Sequence, residues 1–234
     1  MTGRIHSIQT MGAVDGPGIR GVVFFQGCPL RCAYCHNPDT WDASSGMEIS
    51  AEALCQRLLR YRSYYKRGGV TASGGEPLLQ SEFCAELFER LHAEGLHTAL
   101  DTSGVASPEA ARRVLAHTDL VLCDLKFVSS ALYLANTGMP MEPVMHFLRE
   151  TEVRNIPLWI RHVVVPGLTA SDDEVLEMAR IARTFRNLQK IELLPFKKLC
   201  QTKYNALQIP FPLTDVPECP SGRIDELYAL LDQK

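Results

Sequence analysis

Three cysteines in one short loop, Cys28, Cys32 and Cys35 of Phe24-Phe25-Gln26-Gly27-Cys28-Pro29-Leu30-Arg31-Cys32-Ala33-Tyr34-Cys35-His36-Asn37, are the residues of this chain best placed by type and spacing to do chemistry. With three and then two residues between them they can converge on one metal centre. A closed zinc site takes four protein ligands and an ordinary iron–sulfur cluster four cysteines. A cube-shaped [4Fe-4S] cluster held by these three would keep one iron open for a substrate. Other readings share the residues: Cys32-Ala33-Tyr34-Cys35-His36 fits c-type haem attachment, Cys32 with Cys35 fits a redox dithiol, and His36 could complete a zinc site. Haem attachment occurs outside the cytoplasm, whereas the chain opens Met1-Thr2-Gly3-Arg4-Ile5-His6 with no apolar export segment.

The rest of the chain has to position that loop. Its 234 residues, 46% hydrophobic, can bury a core without disulfides. Eight cysteines and no export segment point to a reducing compartment, so a cytoplasmic protein is expected. A net charge of −3 with both signs interspersed leaves no basic stripe, which argues against nucleic acid as a partner. Apolar runs such as Val163-Val164-Val165 and Val121-Leu122 are far too short to cross a bilayer, so no membrane partner is expected.

Short apolar runs alternate with amphipathic stretches, the pattern of βαβ units around a parallel sheet. Strands are predicted over 21–26, 70–73, 97–100, 120–125, 158–165 and 190–194. Helices are predicted over 50–62 with Ser50 as N-cap, 81–94 stopped by Gly95, onward from Ser107-Pro108-Glu109, over 143–155, from Ser171 to about 186, and over 223–231. Six such units without a reversal of strand order suit an α/β barrel or partial barrel, with a doubly wound open sheet as the alternative. No linker divides the chain, so residues 1–234 read as one domain. The tail over about 203–222, with Pro212, Pro217, Pro220 and Gly222, reads as irregular.

In barrels of this kind the chemistry lies at the C-terminal strand ends. Those ends carry the cysteine loop, Ser73-Gly74-Gly75-Glu76-Pro77, Asp101-Thr102-Ser103-Gly104, Asp124-Leu125-Lys126, Val165-Pro166-Gly167 and Pro195-Phe196-Lys197. Gly74 and Gly75 let the backbone approach a ligand and aim N–H groups at an anion, while Glu76 could receive an ammonium group, although a Gly-Gly pair is also an ordinary turn. Asp101 and Asp124 could share a cation, Lys126 could meet a carboxylate, and Asp101 could equally cap a helix. Cys55, Cys84 and Cys123 read as small core residues. Cys200 and Cys219 lack metal spacing.

These motifs together resemble the radical S-adenosylmethionine (SAM) enzymes, marked by C-x3-C-x2-C with an aromatic, here Tyr34, before the third cysteine. Within them the chain resembles the activases of glycyl radical enzymes. The likeness runs through Val14-Asp15-Gly16-Pro17-Gly18, Tyr34-Cys35-His36-Asn37, Ser73-Gly74-Gly75-Glu76, Leu100-Asp101-Thr102, Asp124-Leu125-Lys126, Trp159-Ile160-Arg161 and Ile191-Glu192-Leu193-Leu194-Pro195, about four-fifths of the chain. The resemblance implies a partial (βα)6 barrel and a [4Fe-4S] cluster on Cys28, Cys32 and Cys35 that binds SAM at its open iron. Reductive cleavage of SAM would then yield a 5′-deoxyadenosyl radical that takes a hydrogen from a glycine Cα of pyruvate formate-lyase or a related glycyl radical enzyme. By the same resemblance Tyr34 and His36 lie along SAM, Gly74 and Gly75 hold its amino group, and Asp124, Leu125 and Lys126 flank its ribose and methionine end. Asp101, Thr102, the Leu122 carbonyl and Asp124 would hold a monovalent cation, Na+ or K+. Asp15 and Arg161 would steady the partner's glycine loop. Flavodoxin or ferredoxin would supply the electron, and the protein would be a monomer. One departure stands out: Lys197 occupies the place of a family histidine near SAM. Rival readings are a radical SAM enzyme acting on a small molecule and a non-catalytic metal or electron-transfer protein.

Overall fold

The structure, a computed structural model, describes residues 1–232. Eight strands form one sheet: β1 (Thr2–Gly12), β2 (Arg20–Phe25), β3 (Met47–Ser50), β4 (Gly69–Gly74), β5 (Thr98–Thr102), β6 (Leu120–Asp124), β7 (Leu158–Val164) and β8 (Leu188–Pro195). Their order is β3-β1-β2-β4-β5-β6-β7-β8. From β2 to β8 every pairing is parallel and the order follows the chain, which sets aside the doubly wound alternative. Among the described residues β3 and β8 remain unpaired edges, so the sheet is an open, partial barrel. The six predicted strands are these six parallel ones.

Helices α1 (Ala51–Leu59), α2 (Ser81–Ala93), α3 (Pro108–Leu115), α4 (Ser130–Thr137), α5 (Glu142–Val153), α6 (Asp172–Ala182), α7 (Gln201–Leu207) and α8 (Arg223–Asp232) complete the fold. The predicted caps form: the Ser50, Ser107 and Ser171 hydroxyls accept from the N–H groups of Ala53, Ala110 and Glu174. Gly95 takes the left-handed backbone, φ +71°, that ends α2.

The alternation of side chains along each strand separates two environments. One face of β5 to β7 sends Leu100, Val121, Cys123, Leu158 and Ile160 into the main core. The other brings Ala99, Leu120 and Leu122 together with Trp159 in a small apolar layer. One step further along each strand the same inner face carries Asp101, Asp124, Arg161 and Glu192. Asp124, Arg161 and Glu192 lie in one register row across β6, β7 and β8. The apolar layer is thus a floor beneath a charged one, and the charged one lies at the C-terminal strand ends.

Four elements lie outside the predicted set. β1 is an antiparallel strand whose face alternates between buried and exposed, paired with β2 and β3. β3 is four residues long, and α4 is a short helix capped by Ser129 and ended by Gly138 at φ +74°. α7 corrects the tail: 201–207 is helical, because Tyr204 is buried against Trp41 and Phe211 and fixes that turn. The remainder, 208–222, is turn, bend and irregular chain.

At the opposite end of the barrel from the charged layer, Asp119 accepts from the Thr98 N–H at 2.8 Å and contacts the His92 ring at 2.9 Å. Those partners hold its carboxyl below the ordinary value of 3.8 against the opposing effect of partial burial. A depressed carboxyl stabilises the fold above its unfolded value and loses that contribution as pH falls through the folded one. Asp119→Asn is therefore expected to lower the urea midpoint at pH 7, with the gap to wild type closing as pH drops below about 3.8.

Candidate active site

The cysteine loop follows β2 and is held by main-chain bonds. Gly27 N–H donates to the Thr40 carbonyl (2.7 Å), Arg31 N–H to Thr137 (2.7 Å) and Ala33 N–H to Asn136 (2.9 Å). The buried Gln26 amide adds bonds to the Asp39 and Asp42 carbonyls at 3.0 and 2.8 Å. Burial pushes all three thiols up, Cys28 to about 12 and Cys32 to about 11; Lys126 opposes the effect at Cys32.

Across from it, β4 delivers Gly74 and Gly75. The Gly75 N–H donates to the Phe25 carbonyl (3.0 Å) and the Glu76 N–H to the Gly27 carbonyl (2.9 Å). This corrects the expectation that the turn aims its N–H groups at an anion, since these two are used by the cysteine strand and loop. The glycines are required by the contact itself: a Cβ on Gly75 would stand 2.2 Å from the Gly27 oxygen, and one on Gly74 2.5 Å from the Phe25 nitrogen. Glu76 also departs from expectation. Fully buried, it accepts from Leu78 N–H, the Thr102 hydroxyl, Ser103 N–H and the Ser103 hydroxyl, so it ties the end of β4 to the end of β5 rather than facing an ammonium group.

The charged inner layer lies beside these two turns. Lys126 Nζ meets Asp124 Oδ2 at 2.7 Å, and this pairing, with Arg161, holds the Asp124 carboxyl below its ordinary value despite burial. Arg161 stands 3.3 Å from both Asp101 and Glu192. Neither contact has hydrogen-bond alignment, and its Nε is buried without a partner. Ser73 donates to Asp101 Oδ2 at 2.6 Å. Asp15, on the β1–β2 loop, joins the group: burial and the neighbouring Asp101 raise its carboxyl, opposed by Arg161 and Arg20. Leu122 is in register with Asp101, while the Thr102 hydroxyl is spent on Glu76.

Tyr34 is buried against Phe127, with its hydroxyl donating to the Lys126 carbonyl at 3.3 Å. His36 Nε2 is 2.9 Å from the Lys197 carbonyl oxygen. The Lys197 ammonium turns outward to Glu218 at 3.3 Å. Leu125 is wholly buried, its carbonyl bonded by His162 Nδ1 at 2.7 Å. Sequence reasoning missed Glu192 as a site residue, although a lone acid inside the apolar run Ile191-Glu192-Leu193-Leu194 is a readable signal.

The residues fit an iron–sulfur cluster with an open corner. Three thiols converge from one loop and His36 is directed elsewhere. With His36 turned to the Lys197 carbonyl, the loop offers three thiols and no fourth side chain from its own segment, short of the four a closed zinc site takes. The Gly75 carbonyl, outside any strand, receives no donor among the described residues and is available to an ammonium group.

A family described as a 4Fe-4S single cluster domain matches residues 14–137. Streptococcus suis SuiB, solved bound to S-adenosylmethionine, shares the fold, with a TM-score of 0.68 at 12% identity over 91% of this chain and 48% of that one. Fold, thiol loop and cluster-domain match define an iron–sulfur enzyme of the radical SAM class. A domain of pyruvate-formate lyase-activating enzyme from Bacteroides vulgatus superposes with a TM-score of 0.59 at 25% identity, covering 71% of this chain and 94% of that one. The pyruvate formate-lyase-activating enzyme of Clostridium pasteurianum is 48% identical over 216 residues, 92% of this chain and 90% of that protein. The chain belongs to the pyruvate formate-lyase-activating enzyme family.

Two substitutions test the geometry. Gly75→Ala forces the two turns apart and is expected to lower both thermal stability and the iron bound after reconstitution. Arg161→Leu leaves the partly buried Asp101 and Glu192 without their cation; breaking a largely buried pair on one side costs up to about 3–5 kcal/mol, read as a loss of denaturant midpoint, whereas Arg161→Lys should retain most of the stability.

Proposed function

We propose that this protein is a glycyl radical activase with the activity of the [formate-C-acetyltransferase]-activating enzymes, acting on pyruvate formate-lyase or a related glycyl radical enzyme. The observation that carries the reading is the meeting of an open-cornered thiol loop with the Gly74-Gly75 turn across the β2–β4 edge, beside a charged layer, in a member of this family. When bound, cluster and SAM supply reductive cleavage of SAM and removal of a hydrogen atom from the partner's glycine Cα. The protein's part is to bind, orient and exclude competing reactions.

Cys28, Cys32 and Cys35 hold the cluster. The Gly74-Gly75 carbonyls receive the methionine ammonium group, and Asp124, Leu125 and Lys126 hold the carboxylate and ribose end. Tyr34 and His36 line the approach, Tyr34 by fixing the Lys126 carbonyl and His36 by fixing Lys197. Oδ1 of Asp101 and of Asp124 accept no bond among the described residues, which supports a monovalent cation between them with Thr102 and the Leu122 carbonyl. Arg161, held by charge without aligned hydrogen bonds, keeps donors for the carbonyls of a partner glycine loop, with Asp15 beside it. Lys197 acts through its main chain, its side chain being turned to the rim. The protein works as a cytoplasmic monomer, a single domain over residues 1–234, and takes its electron from flavodoxin or ferredoxin.

The test uses anaerobically reconstituted protein with dithionite, SAM and purified pyruvate formate-lyase. Expected are 5′-deoxyadenosine by chromatography and a glycyl radical signal by electron paramagnetic resonance (EPR), both absent with Cys32→Ala. Product without a protein radical would instead assign a small-molecule substrate. A full cluster with neither product sinks the activase reading.

A further inference from the structure

Two hydrogen-bond donors at the wall of the cysteine loop have no acceptor. Trp41 Nε1 and the Tyr204 hydroxyl are both buried with no partner among the described residues, and Tyr204 is 1% exposed. An unused buried donor costs about 1–3 kcal/mol, so two in contact call for an explanation. The rings meet edge to face with centroids 5.9 Å apart. Trp41 is anchored at the thiol loop: its carbonyl accepts from Cys28 N–H at 3.4 Å, and the Arg31 guanidinium lies 4.7 Å over its ring. Tyr204 comes from α7, whose Lys203 reaches back to Asn37 and Asp39 at 2.9 and 3.1 Å.

Cys35 and Trp41 both pack against the core that holds Tyr204. The indole N–H offsets part of the effect of burial on that thiol without a hydrogen bond of ordinary geometry to it, and after burial Cys35 is the neighbour that most raises the Tyr204 hydroxyl. Neither residue takes part in the steps assigned above. A protonated thiol is a weak acceptor, whereas a cluster-bound thiolate, carrying more charge once the cluster is reduced, is a strong one.

We propose that the Trp41 indole N–H and the Tyr204 hydroxyl donate to the Cys35 thiolate of the loaded cluster and raise its reduction potential, making them positioning residues for electron uptake. Hydrogen bonds to cluster sulfurs are one of the levers that set such potentials, because a donor stabilises the form with more negative charge. The inference rests on the assignment of Cys35 to the cluster.

The experiment is an EPR-monitored redox titration of the reconstituted holoenzyme, wild type against Trp41→Phe and Tyr204→Phe, with iron counted in each. Both variants keep their rings and are expected to bind the full cluster. Each should hold about tenfold less reduced cluster at a fixed applied potential, ~59 mV more negative for a one-electron couple. A midpoint that stays put in either fully loaded variant overturns the proposal. Wild type labelled with 15N-indole tryptophan provides a readout that needs no variant. Hyperfine coupling of the reduced cluster to the indole nitrogen is expected, and its absence overturns the proposal. Failure of wild type itself to hold four irons and give the reduced-cluster signal would instead remove the cluster assignment, and the inference with it.

Discussion

The whole site depends on main-chain fixation of the cysteine loop. Its bonds come from Thr40, just downstream, from Asn136 and Thr137 at the end of α4, and from Glu76 after β4. A loop that had to be ordered by its metal would spend binding energy on backbone entropy of about 1–2 kcal/mol per residue. Here the fold has already spent it, and the thiols are presented in place. The close approach that lets Glu76 reach the Gly27 carbonyl is possible only because no Cβ stands at Gly74 or Gly75. The two turns thus constrain each other, and neither can be altered alone.

The second organising fact is an imbalance of charge. Asp15, Asp101, Asp124 and Glu192 gather around three cations, Lys126, Arg161 and, beside Asp15, Arg20. Burial makes like charges expensive, and Asp15 shows it by resisting ionisation. Such an arrangement suits a ligand that arrives with positive charge, as SAM does at both its sulfonium and its ammonium group. The apolar floor of Leu120, Leu122 and Trp159 keeps that field from dissipating into water below it.

The parallel strands were legible because both their faces are buried, leaving short apolar runs bounded by turns, and three helix starts were legible from their serines. β1 escaped because its half-exposed edge breaks the run, and α4 and α7 escaped because two turns of helix are too short for a period to emerge. At the site, the cysteines, Gly74-Gly75, Asp101, Asp124 and Lys126 were readable from their position after strands. Glu76 was misread because a carboxylate in a Gly-rich turn looks like a ligand group until its four internal donors are seen. Trp41 and Tyr204 lie more than 160 positions apart in sequence and meet only through the fold. Local pattern could not pair them.

The Lys203 contact with Asn37 and Asp39 has a consequence in time. Synthesis runs from the N-terminus, so the thiol loop and most of the sheet leave the ribosome well before α7. Until α7 emerges, Trp41 lacks its Tyr204 neighbour and the segment after the thiols lacks its Lys203 contact. The nascent chain therefore passes through a stage in which the thiols are framed but unroofed. Arrival of α7 ends that stage by setting Tyr204 against Trp41 and tying Lys203 to Asn37 and Asp39.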